Sequence, residues 1–451
     1  MKTYCKKMDI SEISFVENVI TEFLSERLGQ SNVAKFFAYY NGISHTKSRK
    51  YIDTNPEYSA STIKKIANDV SLNIKNRTVK EHVISTIPHE PIIKYMEIID
   101  GLSGKVRELG LEKMILQIYE VIAREASEKM FSAKIGTFQV SSIKGRGQSY
   151  GKKYIKKWLS NDPEGTKYCV KADVKKCYPS IPHEKVKFLL HRDLGKSDML
   201  VYLYDTIFEL YDYVNEQLGR YEQLGKGILI GSPISKDLCN YYISYAYHFI
   251  TEKLFETSIR RGKEKKVRLI SHVMIYADDI VIFGGNKKHL HKAIHQIVAY
   301  MKSFLGLEIK SAWRKFLISY KTSNSKIKGS SLDFMGFVFR GLDTYYKYYN
   351  GTKKRVKRVK VIIRDKIFLK ARRKFYRFQK KICKKIKVSK HDAMSLLAFN
   401  GWVKNTDSNV FQEKEMWKAY INMARNIVSR YETGKSYAYE KYYKKWRKLY
   451  A

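Results

Sequence analysis

Apolar positions recur along this chain at two periods, and the places where one gives way to the other mark its elements. From residue 11 to about 72 the period is helical. Phe15, Val16, Val19, Ile20, Phe23 and Leu24 fall on one face, and Ser59 or Ser61 stands where a cap for the segment through Ala67 belongs. Residues 98–107 are predicted as a hairpin with a Gly-rich tip around Gly101 and Gly104, followed by Lys105 and Arg107. A helix is predicted from 111 to about 131, and the loop Lys144-Gly145-Arg146-Gly147-Gln148 opens onto a basic amphipathic helix around 154–159. Strand-like segments at 168–173, 273–283 and 333–340 then interleave with helical ones at 184–218, 235–254 and 287–304. That alternation predicts an α+β fold whose sheet is covered by helices on one face.

Composition shifts near residue 341. Residues 353–390 hold 19 Lys or Arg and one acid, Asp365, while Ala371, Phe375, Phe378, Ile382 and Ile386 recur at helical spacing. The expectation is one amphipathic helix, apolar on one face and cationic on the rest. Over all 451 residues, 86 Lys and Arg against 44 Asp and Glu leave a net charge of +42. Such an excess repels itself unless a polyanion neutralises it, which favours nucleic acid as the partner over an anionic membrane. Thirty-five tyrosines add stacking surface for bases. The five cysteines form no Cys-x-x-Cys pair, so neither a zinc site nor a disulfide framework is expected. Without an apolar signal core or a membrane-length run, the chain reads as soluble and cytoplasmic.

The chemistry concentrates at Tyr276-Ala277-Asp278-Asp279, two adjacent carboxylates between the apolar runs Val273-Met274-Ile275 and Ile280-Val281-Ile282-Phe283. An Asp pair is commonly no more than a turn. Here the flanks read as buried strand, where ionised carboxylates need a positive partner. Asp173 closes a third strand-like segment and could meet the pair across neighbouring strands. Three converging carboxylates are hard oxygen ligands suited to Mg²⁺, and two such ions clamp the attacking and leaving oxygens of a phosphoryl displacement.

Taken in order, the segments from about 95 to 340 resemble the motifs of reverse transcriptases, in particular the bacterial lineage of group II intron, retron, diversity-generating and phage-defence enzymes. Asp173 followed by Tyr178 is similar to the first palm motif, and Tyr276-Ala277-Asp278-Asp279 to the Tyr-x-Asp-Asp signature. The resemblance implies that Asp173, Asp278 and Asp279 are catalytic metal ligands for two Mg²⁺, and that Tyr178 excludes a ribose 2′-OH. Ile230-Gly231-Ser232-Pro233-Ile234-Ser235 resembles the motif that supports template and incoming base, placing Gly231 and Ser232 at the nucleotide. Ile230 stands where most relatives carry Gln, an aliphatic choice that diversity-generating and some defence enzymes share. Lys105 and Arg107 match triphosphate-holding positions. Arg146, Tyr276 and Gly336 (within Phe334-Met335-Gly336-Phe337), with Lys353 and Arg355, are the implied template and primer contacts. Leu305-Gly306-Leu307-Glu308-Ile309 resembles the next motif, but Trp313 occupies the place of its lysine, leaving Arg314 or Lys315 as substitutes. Residues 395–404 resemble a thumb segment.

The resemblance implies a right-hand polymerase with α-helical terminal parts: a helical extension at 1–94, fingers at 95–165, a palm with an antiparallel sheet at 166–340 and a helical insertion at about 184–235, and a basic helical thumb with a Tyr-rich tail at 341–451. Its implied activity is RNA-directed DNA synthesis from deoxynucleoside triphosphates, with RNA as template or structured partner and DNA as product. No zinc-like endonuclease, integrase or RNase H pattern follows the basic region, so a defence or retron-like role with a dedicated non-coding RNA is expected. A further copy of the chain or an accessory protein is left open. Two rivals remain. One is a template-independent or short-repeat polymerase, with Tyr437, Tyr439, Tyr442, Tyr443 or Tyr450 of the tail as protein primer; the other is a non-catalytic RNA-binding or splicing cofactor.

Overall fold

Helices fill the first ninety residues of the computed structural model, which describes residues 3–431 apart from 7, 102–103, 196, 261, 350–351 and 405. They span Ile13–Ser25, Ser31–Tyr40, His45–Thr54, Pro56–Asn76 and Val79–Ser85. The fourth is capped by neither Ser59 nor Ser61. Asn55 accepts hydrogen bonds from the Glu57 and Tyr58 N–H groups while Pro56 takes the first helical position, so the helix starts a turn earlier than its apolar period suggests.

Two strands, β1 (Ile93–Ile99) and β2 (Val106–Glu112), pair antiparallel as the predicted hairpin. The following helix is broken at Ser127 into Met114–Ala126 and Glu128–Lys134, and Gln148–Asn161 forms the basic helix. Next come β3 (Tyr168–Asp173), the helices His183–Leu194, Asp198–Gln217 and Ser235–Glu252, and a small basic hairpin of β4 (Phe255–Arg260) and β5 (Lys263–Arg268). The predicted strand 273–283 is two strands, β6 (His272–Tyr276) and β7 (Asp279–Gly284), followed by the helix Lys287–Ser303 and β8 (Arg314–Leu317).

Strands β6, β7, β3 and β8 lie in that order in one antiparallel sheet. Alternation sends Val170, Ala172, Ile275, Ile280 and Ile282 to a core shared with the helices Ser235–Glu252 and Lys287–Ser303. Cys169, Met274, Val281 and Phe283 face the other way, onto Ile155 and Trp158 of the basic helix and Phe334, Phe337 and Phe339. The sheet is therefore covered on both faces, not one; its strands are nearly continuously apolar, as doubly buried strands are.

The C-terminal reading needs a larger correction. After β9 (Tyr320–Lys321) and β10 (Ile327–Lys328) come β11 (Leu332–Phe334), β12 (Phe337–Tyr349) and β13 (Thr352–Ile363), the last two forming a long hairpin. Residues 353–363 are thus strand, not the start of an amphipathic helix. Val359, Val361 and Ile363 are buried while Arg358 and Lys360 are exposed, a period of two that the dense charge concealed. The helix begins at Asp365 and ends at Cys383, with Ala371, Phe375 and Phe378 buried, and Lys390–Lys404 follows. Ile386 lies beyond the helix end, 51% exposed. No described helix is long and apolar enough to cross a membrane.

Candidate active site

The antiparallel ladder brings the acidic residues together. Asp173, last in β3, is registered against Asp279, first in β7, and Tyr276 against Asp279 across the β6–β7 turn. That turn has two residues. Ala277 takes a left-handed φ of 52°, the first-position geometry that fits a tight hairpin but is strained for a residue with a Cβ. The Val174 N–H donates to the Asp278 carbonyl at 2.9 Å, tying the turn to the end of β3. The carboxyls of Asp173 and Asp278 come within hydrogen-bonding reach of each other. Asp278 faces solvent, yet the crowding of protein around its carboxyl, and then the charges of Asp279 and Asp173, push its pKa up to about 6. Burial also raises Asp279, opposed by Lys171, whose Nζ lies 3.8 Å from its carboxylate.

One residue absent from the sequence reading sits at the centre. Lys310 donates to the Asp173 carboxylate, and its backbone N–H bonds the Asp173 carbonyl at 2.9 Å. The bond to Asp173, and then the neighbouring charges of Asp278 and Asp279, raise the Lys310 pKa. Counting from the Leu-Gly-Leu motif to the expected lysine position ends at Trp313 and passes over Lys310; the signal was the sequence Glu308-Ile309-Lys310 directly after that motif. Of the substitutes, Arg314 is exposed on β8 opposite Lys171, and Lys315 opposite Val170. A cleft of about 400 Å³ opens beside Asp173, lined among others by Lys171, Lys310, Trp313, Arg314 and Asp333.

Among the described residues no group of three or more His, Cys, Asp and Glu side chains stands ready to chelate an ion. The closest convergence is of two carboxylates, Asp173 and Asp278. An all-oxygen pair with one pKa raised by its neighbours fits Mg²⁺, a hard cation held through one or two carboxylates plus substrate phosphates and waters. Lys310 would compete with such an ion for Asp173. Its side chain is 45% exposed, so the pair resembles a surface ion pair worth about 0–1 kcal/mol.

The other sequence-derived residues divide into those the fold gathers and those it places elsewhere. Tyr178 follows the left-handed Lys176, is half-buried against the main core, and its carbonyl accepts from the Ile228 N–H at 3.0 Å. Tyr276 is held by hydrogen bonds from Ser141, on the loop that pairs with the edge of β6, and from Gln148 at the start of the basic helix. Gly336, φ 80°, packs so closely on the Trp402 ring that an added Cβ would lie 2.5 Å from it, which joins the Phe-Met-Gly-Phe turn to the 395–404 segment. Gly231, φ 115°, passes over Gly110, where a Cβ would lie 3.3 Å from the carbonyl oxygen.

Ser232 is only 3% exposed and its hydroxyl donates inward to Glu120 at 2.5 Å. Arg146 spends its guanidinium on its own loop, donating to the Gly136 and Gln139 carbonyls. Arg107 pairs with Asp100 at 3.4 Å within the β1–β2 hairpin that also carries Lys105. The Gly101 carbonyl at the tip of that hairpin accepts from Lys370 of the basic helix Asp365–Cys383. Arg355 pairs with Glu164 at 2.6 Å, and Lys353, registered against Tyr348, lies over Tyr346 near the tip of the β12–β13 hairpin, at the far end of the ladder from Phe337. Tyr437, Tyr439, Tyr442, Tyr443 and Tyr450 lie outside the described residues.

Over residues 94–339 the chain matches the family model described as "Reverse transcriptase (RNA-dependent DNA polymerase)", a span that begins in β1 and ends in β12. No individual curated protein matches it.

Proposed function

From the premise that the chain belongs to the reverse transcriptase (RNA-dependent DNA polymerase) family and is an RNA-directed DNA polymerase, we propose that Asp173 and Asp278 hold its catalytic Mg²⁺ ions, with Asp279 in support. The observation that carries this is the convergence of the Asp173 and Asp278 carboxyls at the end of the β3–β7 ladder. A primer 3′-OH gives up its proton to solvent as its oxygen forms the new bond to the α-phosphorus, while the bond from that phosphorus to the β-phosphate oxygen breaks and pyrophosphate leaves. Bound Mg²⁺ would lower the pKa of that hydroxyl and neutralise charge on the transferred phosphate.

The chain's own residues then have separable tasks. Asp173 and Asp278 orient the site from two fixed strand ends. Lys105 and Arg107, presented on a hairpin already closed by the Asp100 pair, grip the triphosphate. Tyr178 fills the space a 2′-hydroxyl needs. Once displaced from Asp173, Lys310 takes the place of the motif lysine, for which Arg314 and Lys315 were the substitutes, as proton donor to the leaving pyrophosphate. Gly336 seats the Phe-Met-Gly-Phe turn against Trp402 and so sets where that turn meets the primer strand, Tyr276 backs the strand, and the backbone of the loop that Arg146 braces lies under the template. Lys353 and Arg355, farther along their hairpin, meet nucleic acid away from the primer end.

In right-hand terms, residues 95–165 are the fingers, 166–340 the palm with its insertion at 184–235, and 341–451 the thumb region, preceded by the helical extension 1–94. We place the enzyme with the defence or retron-like lineage, working with a structured RNA. The aliphatic Ile230 before Gly231 and the cationic hairpin and helix after residue 340 support this reading. Sequencing the DNA made on a defined primed RNA tests templating: the complement of that RNA is expected, and a homopolymer or random product would overturn it.

Lys310→Met is expected to lower the Mg²⁺ concentration for half-maximal thermal stabilisation by up to about fivefold, the value of a surface ion pair no longer competing for Asp173. An unchanged or higher midpoint would mean that Lys310 and metal do not share Asp173.

A further inference from the structure

Beneath the Gly231–Ser232 turn lies a second pair of acids. Glu120, on the helix Met114–Ala126, is 0% exposed, and Glu112, at the end of β2, is 8% exposed. Among the described residues neither has a salt-bridge partner. Two ionised carboxylates at such burial without a cation are prohibitively costly, so the pair holds a proton between them. Burial pushes both carboxyls up, and the charge and hydrogen bond of Glu120 push Glu112 further, which places the proton on Glu112.

Glu120 is then a buried anion saturated by donors from four different elements. It accepts from the Glu112 O–H at the end of β2, the Tyr211 hydroxyl on the helix Asp198–Gln217, the Ser232 hydroxyl at 2.5 Å, and the Ile234 N–H entering the helix Ser235–Glu252. Charge-assisted bonds of this kind are about twice as strong as neutral ones. A backbone bond from the Gly110 N–H to the Ile230 carbonyl, at 3.2 Å, runs parallel to them. Gly110 lies on β2, three residues from Arg107 and five from Lys105.

We propose that Glu120, with Glu112 and Ser232, is a positioning device that locks the Gly231–Ser232 turn to the Lys105–Arg107 hairpin and so sets the enzyme's affinity for the incoming deoxynucleotide. This rests on the nucleotide role proposed above for Lys105 and Arg107 and on the one the resemblance implies for Gly231. Nucleotide base and triphosphate meet two different segments, and the buried carboxylate is the part that holds their spacing constant. The titratable groups facing Glu112 are Glu120, Tyr211 and, from β1, Tyr95.

The test is steady-state dNTP incorporation by the full chain. In Glu120→Gln one of the two acceptor oxygens, shared among Ser232, Tyr211 and the Ile234 N–H, becomes an N–H donor, and the negative charge is lost. The dNTP KM is expected to rise about tenfold with kcat changed less than about threefold, as for a lost charge-assisted bond that acts on binding. Glu112→Leu removes the donor and is expected to raise KM similarly, whereas Glu112→Gln, whose N–H replaces the carboxyl O–H, rescues it. If Glu120→Gln does not fold, Ser232→Ala removes a single donor and is expected to raise KM about threefold.

A KM within twofold of wild type in Glu120→Gln and Ser232→Ala, or Glu112→Gln as damaging as Glu112→Leu, overturns the proposal. If the wild type makes no DNA, the functional reading fails separately. The lock is then read by hydrogen exchange at 229–232, expected to quicken in Glu120→Gln; unchanged exchange sinks the lock itself.

Discussion

Asp278→Asn is expected to reduce RNA-templated DNA synthesis by at least about 10³-fold, the rate equivalent of the several kcal/mol that metal charge stabilisation supplies. The same substitution is expected to raise the melting temperature of the metal-free protein at pH 8. The sign follows from the pKa. In the folded chain the pKa of Asp278 is pushed up to about 6, above the ordinary carboxylate value of 3.8, by burial first and then by the neighbouring carboxylates. Its contribution to stability is present below the unfolded value and is lost as pH rises through the folded one. At pH 8 the folded chain therefore carries an ionised group it disfavours, which asparagine removes; at pH 3 the two proteins should melt alike. Loss of activity with a gain of stability is the signature of a strained functional carboxylate. An equal loss of both would make Asp278 a structural residue. A variant that keeps its biological activity without DNA synthesis would favour the RNA-binding cofactor.

Tyr178→Ala is expected to relax sugar selection, lowering the preference for dNTP over rNTP by about 10²-fold, the scale on which a shaped apolar wall rejects an added hydroxyl. The left-handed Lys176 and the Ile228–Tyr178 backbone bond fix the short turn after β3 independently of the side chain. The backbone should therefore survive truncation, and dNTP incorporation with it. Competition between matched dNTP and rNTP on one template measures the ratio, and an unchanged ratio would return Tyr178 to the core, against which it is half-buried.

The ladder that carries Asp173 and Asp279 was legible because its signals are local and dense: β3 ends at Asp173, and the Asp278–Asp279 pair falls at a strand turn. The hairpin carrying Lys105 and Arg107 was legible for the same reason. Where charge masked periodicity the reading went astray, as in residues 353–363, whose valines alternate among lysines that a composition count treats alike. Lys310 was missed because a fixed offset from a motif ignores the strand pairing that puts residue 310 beside Asp173. Glu112 and Glu120 could not be found from periodicity at all. Eight residues apart across the end of a strand and a helix, they read as ordinary polar positions, and only the tertiary fold turns both inward. Ser232 shows the converse: its motif resembles a nucleotide contact, but the hydroxyl points to Glu120.

Lys310 sits on the Asp173 carboxylate, where it competes with a metal ion for that group. The direct measurement is an anomalous-scattering map from crystals of the protein with Mn²⁺, a primed RNA template and a non-hydrolysable dNTP. A peak ligated by both Asp173 and Asp278, with the Lys310 amine withdrawn from Asp173, is the expected result. A complex with nucleotide bound, Lys310 still on Asp173 and no peak between the two aspartates would contradict it.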